Sequence, residues 1–377
     1  MLIGIDGNEA NLENRVGVNQ YAYELLRNLH ARAELWKGRH KFLVYLRDKP
    51  QGDMPTEKEG WEYKVLPGSV LWIITRLMPH LFLTRRKPDI FFTPSHYVPP
   101  FAPMPRVSSI MDLGYLEFSG QFKRRDYWQL RLWSAWSILV SKAVIAISNT
   151  TKKDILDHYK FAKNKITVTH LGYNKEKFNA RDSKLKIRRA RRKYKIKGDY
   201  LLFLGTLKPS KNIEGLLGAF AALTDYPRLT LVIAGKKGWL YKSIFEKVKR
   251  LGLAGRVIFT GFVPEDDKAG LIAGTKAFVL PSFWEGFGLD VLSAMALGVP
   301  VIVSNRGSLP EIIGNTGIIV DPENDAEIAQ GIKKVIGMDK KSYNEMARAG
   351  KKHVEQFSWD KTAQKTMEVL EKAHVQR

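Results

Sequence analysis

Short apolar runs rich in β-branched and aromatic residues alternate with helix-length segments along the whole chain, and the series occurs twice. The first series of strand candidates is 2–6, 42–46, 63–66, 90–92, 107–110, 143–147 and 166–169. The second is 200–204, 229–234, 257–260, 277–280, 299–303 and 317–320. Several runs are nearly continuous in apolar residues, as strands covered on both faces require. Strand–helix alternation of this kind builds parallel sheets from βαβ units. The reading is therefore α/β, two doubly wound domains facing each other across a cleft, which suits a chain of 377 residues. The expected division is 1–180 and 181–357, with 358–377 a helix packing back toward the N-terminal domain. Ligands of such sheets bind beyond the carboxyl ends of the strands, so the chemistry belongs in the loops there.

Charge narrows the partners. Lys and Arg number 61 against 38 Asp and Glu, a formal net charge of +23. The first 180 residues carry +10, and a further +9 is concentrated in 181–197, which includes Lys184, Lys186, Arg188, Arg189, Arg191, Arg192, Lys193, Lys195 and Lys197. This run reads either as a solvated helix at a domain junction or as a contact for anionic lipid or nucleic acid. No recognition-helix, RNP or zinc-finger pattern accompanies it, so nucleic acid is not an expected partner. The absence of cysteine removes disulfides, zinc-thiolate sites and a cysteine nucleophile, and fits a cytoplasmic location. The opening Leu2-Ile3-Gly4-Ile5-Asp6 lacks the marks of a signal peptide. The apolar stretches 70–83 and 128–147 are interrupted by charges or proline and do not read as membrane spans.

The most informative stretch is 280–296, Leu-Pro-Ser-Phe-Trp-Glu-Gly-Phe-Gly-Leu-Asp-Val-Leu-Ser-Ala-Met-Ala. A strand ends at Leu280, a loop follows, and a helix opens at Leu289 and stops at Gly298-Val299-Pro300. Gly286 and Gly288 permit close backbone approach, and the free N–H groups of a helix start favour an anion such as a diphosphate. The alternative is a plain strand–loop–helix junction.

This stretch, together with Leu309-Pro310-Glu311, resembles the donor-site signature of family 4 retaining glycosyltransferases of the GT-B fold. Further segments agree in order: Arg15-Val16-Gly17, Ala146-Ile147-Ser148-Asn149, His170-Leu171-Gly172-Tyr173-Asn174, Gly205-Thr206-Leu207-Lys208-Pro209-Ser210-Lys211-Asn212 and Phe357-Ser358-Trp359. The pattern is most similar to bacterial mannosyltransferase-like enzymes of surface polysaccharide assembly. The resemblance implies two Rossmann-like domains, 1–180 on the acceptor side and 181–357 binding a nucleotide-diphosphate sugar as donor, with no metal and no cofactor. Lys211 would bind the diphosphate and Glu285 the sugar. Gly17, Gly205, Thr206, Lys208, Asn212, Gly286, Phe287, Gly288 and Leu289 would complete the donor site. A cation at Lys211 also stabilises charge developing on the departing diphosphate.

The chain departs from the pattern at Ser293, Asp290 and Met111, and in the lysine loop at Ser210, where relatives carry Arg, and at Lys208, where Glu is common. The second family glutamate, which serves the ribose, falls on Ser293, whose hydroxyl is shorter and uncharged. Asp290, where the family has proline, reads either as a partial replacement or as a first-turn acid favoured by the helix dipole. The family histidine that contacts the donor sugar falls on Met111, a weak acceptor and no donor, while Asp112 beside it is retained. The implied reaction keeps the anomeric configuration without a protein nucleophile, the leaving phosphate taking the acceptor's proton. A binding protein that has lost activity is the competing reading. A dinucleotide-dependent oxidoreductase is disfavoured because Gly4-Ile5-Asp6-Gly7 lacks the fingerprint spacing.

Residues Lys123, Arg124 and Arg125 precede Trp128, Leu132, Trp136 and Leu139 at helical spacing, with Trp133 beside them. Basic residues next to tryptophan suit an interfacial helix on anionic lipid; the same pattern also describes a buried domain helix. With the family's glycan or lipid-linked acceptors, this gives an expected peripheral position at the inner membrane face.

Overall fold

The computed structural model describes residues 1–69, 71–118, 120, 124–179 and 183–375. The chain forms two compact units. One contains Met1–Gly172 and Ser358–Arg377, the other Tyr173–Phe357.

The first unit holds a parallel sheet of β1 (Leu2–Asp6), β2 (Lys41–Leu46), β3 (Trp61–Val65), β4 (Ile90–Thr93), β5 (Arg106–Ile110), β6 (Ala143–Ala146) and β7 (Ile166–Val168), ordered β3-β2-β1-β4-β5-β6-β7. The second holds β8 (Tyr200–Leu204), β9 (Thr230–Ala234), β10 (Val257–Gly261), β11 (Ala277–Leu280), β12 (Val301–Ser304) and β13 (Ile318–Val320), ordered β10-β9-β8-β11-β12-β13. Among the described residues every expected strand is present, with its ends moved by two residues at most. Every residue of β4, β8 and β11 is buried, which is why these runs lack alternation.

In each sheet the strand order reverses where the chain crosses to the other side of its first strand. The switch points lie between β1 and β4 in the first sheet and between β8 and β11 in the second. Helices between strands start on side-chain caps at several places: Ser148 Oγ accepts from Thr151 N at 3.0 Å, and Asn324 Oδ1 from Ala326 N and Glu327 N at 3.1 Å.

The unit boundary falls at Gly172, ahead of the expected 180. A Cβ on Gly172 would lie 2.1 Å from the amide nitrogen of Trp359, so the points where the chain leaves and re-enters the first unit are in backbone contact. The helix Trp359–Val375 lies on the first unit, with Trp359 6.3 Å from Tyr21 and the Thr362 hydroxyl donating to His170 O at 2.8 Å.

The basic segment is not a junction but a packed helix of the second unit, Ser183–Lys193. It lies so close to the helix Glu265–Ala273 that a Cβ on Gly270 would meet Lys186 O at 2.3 Å. Ala190 is buried, Lys193 pairs with Asp267, and Tyr194 donates to the same carboxylate at 3.0 Å. Lys184, Arg188, Arg189 and Arg192 point to solvent.

Candidate active site

The second sheet's switch point brings together the loops after β8 and β11. The β8 loop starts at Gly205, whose N–H donates to Ala234 O at 2.9 Å, and Leu207 N donates to Lys236 O at 2.9 Å. Gly235 makes this route possible, because a Cβ there would lie 1.9 Å from Gly205 O. Thr206 sits against Gly238, and the Lys208 ammonium lies 5.1 Å from the centre of the Trp239 ring. A single turn, Pro209–Lys211, then presents Lys211.

Asn212, at φ 50°, caps the helix Ile213–Ala221. Its Oδ1 accepts from Gly215 N at 3.2 Å and its Nδ2 donates to Pro322 O at 2.6 Å. Both ends of the amide thus help to shape the loop.

The β11 loop meets this one directly. Phe283 N donates to Ser210 O at 2.9 Å, and the Lys211 ammonium pairs with Glu285 Oε1. The two side chains are only 16% and 12% exposed, so the pair is largely withdrawn from water. Ser282 Oγ donates to the same carboxylate oxygen at 2.8 Å, while Ser308 fastens the Glu285 carbonyl through its N–H and its hydroxyl, both at 3.0 Å.

Gly288, at φ 98°, leads into the helix Leu289–Ala296, which has no side-chain cap. Gly286 and Leu289 remain partly exposed. Phe287 is different: its ring is buried edge-on against Phe357 at 6.0 Å, so only its backbone faces the loop surface.

Ser293 is buried and its hydroxyl donates to Leu289 O at 3.1 Å, closing on its own helix. Asp290, one turn earlier, keeps a third of its side chain exposed and lies 3.7 Å from Lys268 Nζ, which also pairs with Glu265 at 2.7 Å. Burial raises the Asp290 carboxyl, and Lys268 opposes that rise. Burial lowers Lys268, but Asp290 and Glu265 together outweigh it and the ammonium is raised. The contact between Lys268 and Asp290 joins residues 22 positions apart on separate helices, and no local pattern announces it.

The other expected residues lie in the first unit. Gly17, at φ 55° and with open space around its Cβ position, precedes the helix Val18–Ala31. Past the end of β5, Met111 O accepts from the Thr151 hydroxyl at 3.1 Å. Asp112 is exposed and accepts from Gly114 N at 3.0 Å, just ahead of the short helix Gly114–Glu117. Behind it lies Asp154, not anticipated from the sequence, whose carboxyl is pushed up to about 7 by burial and then by Asp112, Glu117 and Asp157.

On the helix Arg124–Val140, Trp128 (46% exposed), Leu132 (64%), Trp136 (39%) and Leu139 (54%) form one exposed stripe, with Arg124, Arg125 and Arg131 also exposed. Trp133 turns inward, edge-on to Tyr97 at 5.7 Å. Lys123 lies outside the described residues. Among the described residues no helix is long and apolar enough to cross a membrane, and no group of three or more His, Cys, Asp and Glu could hold a metal ion.

Comparison with known proteins places this geometry. The model for Glycosyltransferase Family 4 matches residues 16–177, and that for Glycosyl transferases group 1 matches 186–353. The O-antigen chain mannosyltransferase B of Escherichia coli is 33% identical over 231 residues, which is 60% of this chain and 60% of that protein. The match thus spans about three-fifths of that relative's length. Sucrose-phosphate synthase from Thermosynechococcus elongatus superposes with a TM-score of 0.78 at 19% identity, covering 100% of both chains. Anabaena HepE, in a complex with UDP-glucose, gives 0.76 at 20% identity over 98% of this chain and 99% of that one. With both family models on their respective units and the GT-B architecture of the neighbours, the chain belongs to the family 4 glycosyltransferases.

Proposed function

We propose that this chain moves a hexose, mannose or glucose, from a nucleotide-diphosphate sugar to a glycan or lipid-linked acceptor with retention of anomeric configuration. The observation that carries the reading is the meeting of Lys211 and Glu285 at the second sheet's switch point. There an ammonium suited to a diphosphate and a carboxylate suited to sugar hydroxyls stand side by side, next to a glycine loop and a helix start. Similarity to the Escherichia coli O-antigen chain mannosyltransferase B and to Anabaena HepE in complex with UDP-glucose supports the hexose and the activated donor.

The chemistry asked of the protein is positioning and charge stabilisation. The bond from the anomeric carbon to the diphosphate oxygen breaks as the acceptor oxygen bonds to the same face of that carbon. The acceptor's proton passes to the departing phosphate. Lys211 takes up charge on that phosphate, and no metal or cofactor is invoked. The exposed Trp128–Leu132–Trp136–Leu139 stripe and its arginines support a peripheral position on the anionic inner face of the membrane.

A melting-temperature panel of GDP-, UDP-, ADP- and dTDP-sugars tests the donor class, since a bound ligand stabilises by RT ln(1 + [L]/Kd). A shift with one nucleotide series, followed by transfer or hydrolysis, is the expected result. The closed hydroxyl of Ser293 and the thioether at Met111 favour one alternative, a binding protein without turnover. Binding without transfer or hydrolysis across the panel selects it.

A further inference from the structure

The helix Leu289–Ala296 opens without a side-chain cap, because Gly288 has no side chain to supply one. The first N–H groups of a helix lack partners within it. Here they stand at the end of the β11 loop, which carries Glu285 against Lys211.

Aspartate at 290 acts on this helix start in two opposite ways. Its backbone N–H is one of the free donors. Its carboxylate lies in the first turn, where acidic side chains are drawn to the free amides and bond them. A carboxylate settled there would cover the donors that an anionic ligand needs.

The structure holds that carboxylate elsewhere. Among the described residues no amide donates to Asp290, and its Oδ1 lies 3.7 Å from Lys268 Nζ on the separate helix Glu265–Ala273. Lys268 is 15% exposed and also pairs with Glu265 at 2.7 Å. Its two carboxylates keep the ammonium charged despite burial. The helix that carries it is fixed against Ser183–Lys193, where Gly270 packs on Lys186 O and where Lys193 and Tyr194 hold Asp267.

The surrounding charges make this restraint matter. Asp290 feels Lys211 and Glu285 as well as Lys268 and Glu265, so two ammonium groups face three carboxylates before a ligand arrives. A carboxylate released onto the helix start would repel a diphosphate and compete for its amides.

We propose that Lys268 is a positioning residue for donor binding: by holding the Asp290 carboxylate against the neighbouring helix, it keeps the amides of Leu289 and Asp290 free for a phosphate group. The assignment rests on the glycosyltransferase reading above and adds to it a residue that belongs to neither of the loops meeting at Lys211.

The test is calorimetric titration of the full chain with inorganic pyrophosphate, with UDP, GDP, ADP and dTDP, and with the four parent nucleosides. The proteins are the parent, Lys268→Met, Lys268→Arg, Asp290→Ala and the double variant Lys268→Met with Asp290→Ala. Lys268→Met should weaken diphosphate binding about tenfold and leave nucleoside binding within about twofold. Lys268→Arg, which keeps the charge, should restore it. In the Asp290→Ala background Lys268→Met should have no effect, because no carboxylate is left to restrain. Diphosphate affinity unchanged by Lys268→Met overturns the proposal. So does the same loss in both backgrounds, which would mean that the ammonium meets the ligand directly, and so does an equal loss for nucleosides, which would mean a general distortion. If Lys268→Met does not fold, Lys268→Gln carries the same expectations. A parent that binds none of the diphosphates removes the donor reading itself, whereas a parent that binds one and is indifferent to Lys268 removes only the positioning role.

Discussion

Replacing Lys211 by alanine separates two jobs of one ammonium, holding Glu285 and meeting a diphosphate. In the ligand-free chain Lys211 and Glu285 form a largely buried pair, and Ser282 gives the carboxylate a further hydrogen bond. Breaking a fully buried pair costs about 3–5 kcal/mol. Here the residual exposure of both partners and the Ser282 bond reduce the expected loss of stability to about 1–3 kcal/mol. For binding, a hydrogen bond to a charged group contributes about 1.5–3 kcal/mol, so nucleoside-diphosphate affinity should fall roughly 10- to 150-fold. The parent nucleoside lacks the phosphates, and its affinity should hold within about twofold. Calorimetric titration of both ligands into parent and Lys211→Ala measures the difference. Glu285→Gln combined with Lys211→Met separates the roles further: it should recover stability, because no lone charge is left in the loop, without recovering diphosphate affinity. Equal losses for nucleoside and nucleoside diphosphate would refute the placement of the diphosphate at Lys211.

Three further outcomes are expected. Anionic vesicles should carry the protein in flotation at low salt and release it as salt rises, each Lys or Arg at the surface contributing about 1 kcal/mol, and Trp128→Ser with Trp136→Ser should weaken retention; absence from the lipid fraction at every salt concentration would end the membrane proposal. Ser293→Glu should lower donor affinity and Met111→His should lower turnover, since a carboxylate replacing the buried Ser293 hydroxyl lacks a partner; an inactive parent rescued by the pair of changes would show instead a site that has lost parts. Asp154 is raised to about 7 in the folded chain, chiefly by burial, so its contribution is fully present below its unfolded value near 3.8 and is lost as pH rises through 7. Asp154→Asn should therefore raise the melting temperature at pH 8 by about 2–4 °C and give no gain near pH 4; a gain independent of pH would contradict this.

Much of this protein is written locally. Fully buried parallel strands must be apolar on both faces, so β4, β8 and β11 announce themselves as unbroken runs, and the doubled series announces two sheets. The glycine-bearing loop after β11 and the lysine loop after β8 are legible for the same reason, because their chemistry depends on consecutive residues. Other features depend on contacts that no spacing encodes. Tertiary packing turned the basic run into a helix on Glu265–Ala273, set the unit boundary where Gly172 meets Trp359, and divided the tryptophans of Arg124–Val140 between solvent and Tyr97. It also gave Asn212 bonds to Pro322 and Gly215 and closed the Ser293 hydroxyl onto its own helix. Asp290 with Lys268, and Asp154 with Asp112, acquire their character from burial and from charges distant in sequence. Desolvation and Coulomb interaction act through space, so residue order reveals the type of a charged group, and the fold sets its partner and its proton affinity.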